Sequence, residues 1–142
     1  MIELTDAPID VSHYLQFVED GSTGGVVFFI GRVRDHSRGR KVSRMHYEAY
    51  PEMARREMQK IADKVKEKWP VVRLVIVHRF GELAVGEASV FIAVACAHRA
   101  QAFEACQYAI DTIKTTVPIW KKEFGPDGAS WVEGNIPKPE IE

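Results

Sequence analysis

The chain reads as an α+β protein: a mixed, mainly antiparallel sheet carrying two long helices. Three observations predict this. Residues 51–69 and 99–116 repeat apolar side chains at helical spacing, and each window is closed by a proline, Pro70 and Pro118. Short runs rich in β-branched and aromatic residues alternate with these windows. Several connections are too short for parallel crossovers, so the runs at 71–77 and 89–97 are most simply an antiparallel pair.

Each element has a local reason. Residues 2–4 suit a short edge strand. Asp10 is placed to cap a short helix over 11–17 that includes Leu15. The glycine-rich stretch 21–25 is a turn, and 26–30 (Val26, Val27, Phe28, Phe29, Ile30) follows as a buried strand. A basic loop runs from Gly31 to about Lys41, and 42–50 alternates as a second strand. Pro51 suits the first position of a helix whose apolar face is Ala54, Met58, Ile61, Ala62, Val65 and Trp69. After the 71–77 strand, 81–86 is a turn region bounded by Gly81 and Gly86. The second helix, 99–116, sets Phe103, Cys106, Ile110 and Ile113 on one side. Beyond it Val117, Pro118, Ile119 and Trp120 form a rigid corner, 130–133 a last short strand, and 136–140 a frayed tail.

With 142 residues the chain suits one domain spanning 1–142, with a sizeable core. Its net charge of −1 does not attract it to polyanions. Residues 31–44 nevertheless hold six basic side chains against Asp35, a local +5 that leaves −6 for the remainder. One strongly basic loop on a nearly neutral protein points to a local anion site, not to a nucleic-acid surface. Cys96 and Cys106 stand in apolar surroundings and outside any C-x-x-C pair, as expected of buried thiols in a reducing cytoplasm. The start of the chain shows no signal-peptide pattern, and no run approaches the ~20 apolar residues that span a bilayer. The five histidines form no H-x-x-x-H pair, so no metal is expected.

Three constellations can carry chemistry. Arg32 and Arg34 leave the end of a strand, where guanidinium groups can grip phosphate oxygens in bidentate fashion or remain a solvated charged loop. His98 and Arg99 open the second long helix, where the helix dipole is already positive. A bound anion there would turn that conflict into attraction; otherwise His98 caps the helix and Arg99 points to solvent. Lys114 lies near the end of the same helix, three residues after Asp111, and Lys121 and Lys122 follow the Pro118 corner. A lysine crowded by other cations has its ammonium form disfavoured and its pKa lowered, which suits it to nucleophilic or acid–base work.

In order and spacing, five segments resemble the catalytic (large) subunit of molybdopterin synthase. They are Phe28 to His36, His46 to Pro51, Val77 to Leu83, Ala97 to Arg99 and Lys114 to Glu123, with Ser130 to Glu133 in addition. The resemblance spans roughly 25–133. It implies an α/β hammerhead-type fold with a small additional β subdomain. It implies an enzyme that converts cyclic pyranopterin monophosphate (precursor Z) into the molybdopterin dithiolene, with no cofactor of its own. The sulfur would arrive as a thiocarboxylate on the C-terminal glycine of a small ubiquitin-like subunit, in a heterotetramer built on a homodimer of large subunits. By position, Lys114 resembles the lysine beside the partner's terminal glycine, and Lys121 the second essential lysine, close to the pterin. Arg32, Val33, Arg34, His98, Arg99, Lys121, Lys122 and Glu123 resemble substrate contacts, and Phe29 and Ile110 resemble pocket walls. The His98-Arg99 pair would reach the substrate across the dimer interface. Gly134 and Asn135 stand where many relatives keep a basic residue. Two other readings compete: a non-catalytic phosphate- or nucleotide-binding module using the 31–44 loop, and an RNA-binding domain. The second is disfavoured by the net charge and by the lack of an aromatic-plus-basic RNA-binding strand.

Overall fold

The computed structural model describes residues 1–135. Their order is β1 (Ile2–Thr5), α1 (Val11–Leu15), a 3-10 turn (Gln16–Val18), β2 (Gly25–Arg32), β3 (His36–Ser37), β4 (Arg40–Lys41), β5 (Arg44–Ala49), α2 (Pro51–Lys68), β6 (Val71–Arg79), β7 (Gly81–Ala84), β8 (Ala88–Cys96), α3 (Arg99–Thr116), β9 (Ile119–Gly125) and β10 (Gly128–Asn135).

The centre is the antiparallel β6–β8 pair. Its unbroken apolar runs are explained by burial on both faces. Leu74, Ile76, Val90, Ile92 and Val94 enter the main core with α2 and α3, while Val75, Val77, Phe91, Ala93 and Ala95 meet Tyr14 and Val18 on the other side. Alternation along each strand divides the two cores. β1 adds to one edge in parallel and β2 to the other antiparallel, giving the order β1-β6-β8-β2.

A second sheet, β10-β9-β5-β7, is antiparallel throughout, and β3–β4 is a separate small hairpin. The α+β class and the antiparallel pairing follow expectation; the strands are divided between two four-stranded sheets. α2 begins at Pro51 and buries Ala54, Met58, Ile61, Ala62 and Val65. Trp69 is its C-cap, with an extended backbone.

Several local expectations change. β2 lies at a sheet edge, not in the interior, so Val26, Phe28 and Phe29 stay 45%, 49% and 37% exposed. α1 stops at Leu15 and tightens into the 3-10 turn; Asp10 caps it by accepting from the His13 N–H. Residues 81–84 form a strand because β5 supplies their ladder partners. Phe103 is 61% exposed: the buried stripe of α3 is Ala102, Ala105, Cys106, Ala109 and Ile113, whose small side chains let the helix lie close to the sheet. The corner after α3 leads directly into β9, held between β5 and β10. The expected frayed tail at 136–140 lies outside the described residues.

Candidate functional site

Three distant parts of the chain meet where the two sheets approach each other. β2 ends at Arg32 and continues through Val33 and Arg34. The last turn of α3 brings Lys114. β9 brings Lys121 and Glu123, and β5 contributes Met45 and Tyr47 beneath them. Together they line a cavity of about 500 Å³, closed on its other sides by Phe29, Ser89, Val132 and the β3 hairpin residues His36 and Ser37. That volume suits a small-molecule ligand.

The inward set on β9 follows from pleating. Lys121 and Glu123 are two apart and share a face with their β5 partners Tyr47 and Met45. Lys122 takes the opposite face, over the rings of Phe124 and Trp131 at 5.7 and 5.3 Å. The β3–β4 hairpin turns on Arg38 and Gly39, both at positive φ (53° and 75°). Arg40 Nη2 then donates to Ser130 Oγ at 2.5 Å, which ties the hairpin to β10.

The cavity is cationic. Burial, with the charge of the nearby Lys114 ammonium, lowers the Lys121 pKa from 10.5 to about 8; Arg34 adds to the shift and Glu123 opposes it. Lys121 Nζ lies 5.9 Å from the Tyr47 ring centroid. Next to Tyr47, at 5.7 Å between ring centroids, His78 is buried, and its Nδ1–H donates to the Arg79 carbonyl at 2.9 Å. Burial above all, reinforced by Lys114 and Lys121, lowers its pKa to about 4 although the Arg79 contact opposes this. His78 is therefore neutral near pH 7. Burial likewise raises the Tyr47 phenol, which stays protonated. The Glu123 side chain is 4% exposed and is the carboxylate lining the cavity. Among the described residues, no carboxylate lies within salt-bridge distance of Arg32, Arg34, Lys114 or Lys121. Such a set can hold an anion, and one of its lysines can exchange a proton near neutral pH.

The cavity thus gathers Phe29, Arg32, Val33, Arg34, Lys114, Lys121 and Glu123 from the expected set. It does not gather four others. Lys122 faces away. Ile110 lines a separate groove of about 360 Å³ between β2 and α3, which also touches Phe29 and Phe103. His98 and Arg99 sit at the opposite end of α3 from Lys114, about 22 Å away at 1.5 Å per residue. Both are exposed there, with no acidic residue in the first turn. Tyr47 and the underlying His78 lie in the family-like segments His46 to Pro51 and Val77 to Leu83, but nothing there singles them out as site residues, and Ser89 lies in no such segment; alternation in β5 is the signal that places Met45 and Tyr47 on one face. Among the described residues, no three His, Cys, Asp or Glu side chains converge as a metal site. Cys96 and Cys106 are buried away from the cavity, and burial pushes the Cys106 thiol up to about 11. No described helix is long and apolar enough to cross a membrane.

Comparison with known proteins agrees over most of the chain. A family model described as "MoaE protein" matches residues 4–116. A molybdopterin synthase catalytic subunit from Pyrococcus abyssi is 43% identical over 136 residues, covering 94% of this chain and 92% of its own. The human protein of the same name is 42% identical over 135 residues, covering 95% of this chain and 71% of its own. Among solved structures, molybdopterin synthase from Staphylococcus aureus superposes with a TM-score of 0.87 at 42% identity, covering 92% of this chain and 95% of that one.

Proposed function

This chain belongs to the MoaE protein family, and on that premise we propose that it is the catalytic subunit of a molybdopterin synthase, a sulfurtransferase of molybdenum cofactor biosynthesis. Its substrate is cyclic pyranopterin monophosphate. Its sulfur donor is the thiocarboxylated C-terminal glycine of a small ubiquitin-like subunit. It works as a homodimer within a heterotetramer in the cytoplasm.

The observation that carries this reading is the meeting of Lys114 and Lys121 with Arg32 and Arg34 in one cavity. The substrate phosphate and the thiocarboxylate are both anions, and a cavity lined by two arginines and two lysines suits both. Arg32 and Arg34 hold the phosphate, and Phe29 walls the pterin. Lys114, at the end of α3, holds the partner's tail. The thiocarboxylate sulfur attacks an oxygen-bearing carbon of the pterin side chain; a C–S bond forms as that carbon's C–O bond breaks, the departing oxygen takes up a proton, and an acyl link joins partner and substrate. Water then cleaves that link, leaving sulfur on the pterin and a carboxylate on the partner; a second donor repeats the transfer. The lowered pKa of Lys121 gives it a neutral fraction near pH 8, which suits it to accept and return the protons. Neither cysteine is needed, since the sulfur comes from the partner.

The test mixes the chain with thiocarboxylated small subunit and precursor Z and measures molybdopterin. Turnover is expected, and Lys114→Ala abolishes it while leaving the fold intact, because a lysine at a helix end contributes little packing. Failure of the wild-type chain to form product with a competent partner overturns the reading. The basic hairpin also suits a non-catalytic nucleotide module, but that alternative leaves the half-buried Lys121, with its lowered pKa, without a purpose.

A further inference from the structure

An ion pair between a buried arginine and a half-exposed glutamate braces the turn that holds the strand end carrying the cavity's two arginines. Arg79 ends β6 and is 7% exposed. Its Nη1 donates to Glu87 Oε2 at 2.7 Å and its Nη2 to the Glu82 carbonyl at 3.2 Å. The other Glu87 oxygen, Oε1, accepts from the Ala84 N–H at 2.7 Å. These contacts close the turn between β7 and β8, in which Gly86 has φ +88°.

That turn grips one residue from both sides. The Val33 N–H donates to the Glu87 carbonyl at 3.0 Å, and the Gly86 N–H donates to the Val33 carbonyl at 2.8 Å. The Val33 side chain is itself buried at 3% exposure. Arg32 and Arg34 flank Val33, and both line the cavity. A residue fixed at its N–H, its C=O and its side chain cannot rotate, so the residues on either side of it leave the backbone in set directions. Stability is a poor explanation of the pair. Arg79 Nε is buried without a partner, and a buried, incompletely bonded guanidinium costs the fold more than an apolar side chain there would.

We propose that Arg79 and Glu87 are positioning residues: through the 84–87 turn and Val33 they aim Arg32 and Arg34 at the phosphate of the pterin substrate. The proposal rests on the functional reading above for the identity of the anion. Neither residue touches the substrate.

The test compares wild type, Glu87→Gln and Gly86→Ala in the assembled enzyme. Glu87→Gln keeps an acceptor for Ala84 but removes the charge facing Arg79. Gly86→Ala strains the turn at its positive φ without touching the guanidinium, in open space where the new methyl meets nothing. Both are expected to raise KM for precursor Z about tenfold, the value of roughly one charged hydrogen bond. Both should leave kcat within about twofold, and KM for the thiocarboxylated partner unchanged. Calorimetric binding of precursor Z reads the same loss of affinity without turnover, so an inactive wild type would count against the functional reading and still leave the positioning measurable. Unchanged precursor Z affinity in both variants overturns the inference. So does an equal loss for both substrates, which is the mark of general loosening.

Discussion

Lys121 is the side chain whose chemistry is most altered by its surroundings. Its charge is disfavoured by burial and by Lys114, so its proton leaves near pH 8 in place of 10.5. The free-enzyme profile of kcat/KM against pH should therefore rise through an inflection near 8 if the neutral amine accepts a proton. Lys121→Arg keeps a cation but cannot deprotonate; it should lose that limb and fall about 10²- to 10⁴-fold in kcat. A retained inflection near 8 in this variant would assign the titration to another group. The same shift fixes a stability effect. Between about pH 8 and 10.5 the folded chain has released this proton and the unfolded chain still holds it, so stability rises with pH across that window. Below pH 8 both states are charged and the folded one carries the full penalty. Lys121→Met should be more stable than wild type at pH 7, with the gain disappearing above pH 10.5 in denaturant titrations. His78 acts with the same sign in a more acidic window: the fold should lose stability as pH falls from 6.5 to about 4, at no more than about 1.4 kcal/mol per pH unit from this residue. His78→Phe should flatten that slope.

At the scale of elements, the site depends on how β9 is held. Gly125 ends β9 against the end of β4, and a Cβ there would overlap the Lys41 carbonyl, a backbone atom that cannot step aside. Gly125→Ala should displace the hairpin end of the basic loop and cost about 1–3 kcal/mol, as overpacking does; chemical denaturation measures it, and a loss under 0.5 kcal/mol would show the loop to be compliant. β9 also marks what the sequence could not reveal. Ile119, Trp120, Lys121, Lys122 and Glu123 have no clean alternation, because one face lines a polar cavity and the other carries Lys122 across aromatic rings. Only β5 and β10, far away in sequence, establish it as a strand and decide which lysine turns inward. The bounds of α2 and α3 were legible because their stop signals are local: Pro51 opens one, and Pro118 follows the other. Lys114 and Lys121 could be singled out from their flanks, whereas Tyr47, His78 and Arg79 sit in family-like segments whose roles, like that of Glu87, emerge from contacts distant in sequence. The edge position of β2 was hidden for the converse reason: Val26 to Ile30 have the composition of an interior strand.

For the whole molecule, the unsatisfied surface and the scattered cations point the same way. β2 is a sheet edge in the single chain, and Phe28, Phe29 and Phe103, 49%, 37% and 61% exposed, form an apolar band along the groove between it and α3. Apolar exposure on this scale marks an association surface. His98 and Arg99 lie too far from Lys114 in the same chain to share its cavity, about 22 Å along α3. In a two-fold dimer each copy can place its pair near the cavity of the other, so that every site draws on both chains. This geometry has a quantitative consequence. Chains carrying Lys114→Ala alone, or Arg99→Ala alone, should each be nearly inactive. After unfolding and refolding as an equal mixture, half the dimers are mixed. Each mixed dimer has one site lacking both side chains and one with both, so activity should recover to roughly a quarter of wild type. Sites contained within one chain would give no recovery, because every chain in the mixture is defective. Phe28→Asp, placed in the apolar band, should abolish the recovery and shift the protein to monomers in sedimentation, while its helices persist by circular dichroism. Recovery without a dimer, or a stable dimer without recovery, would each show that Arg99 does not act across the interface.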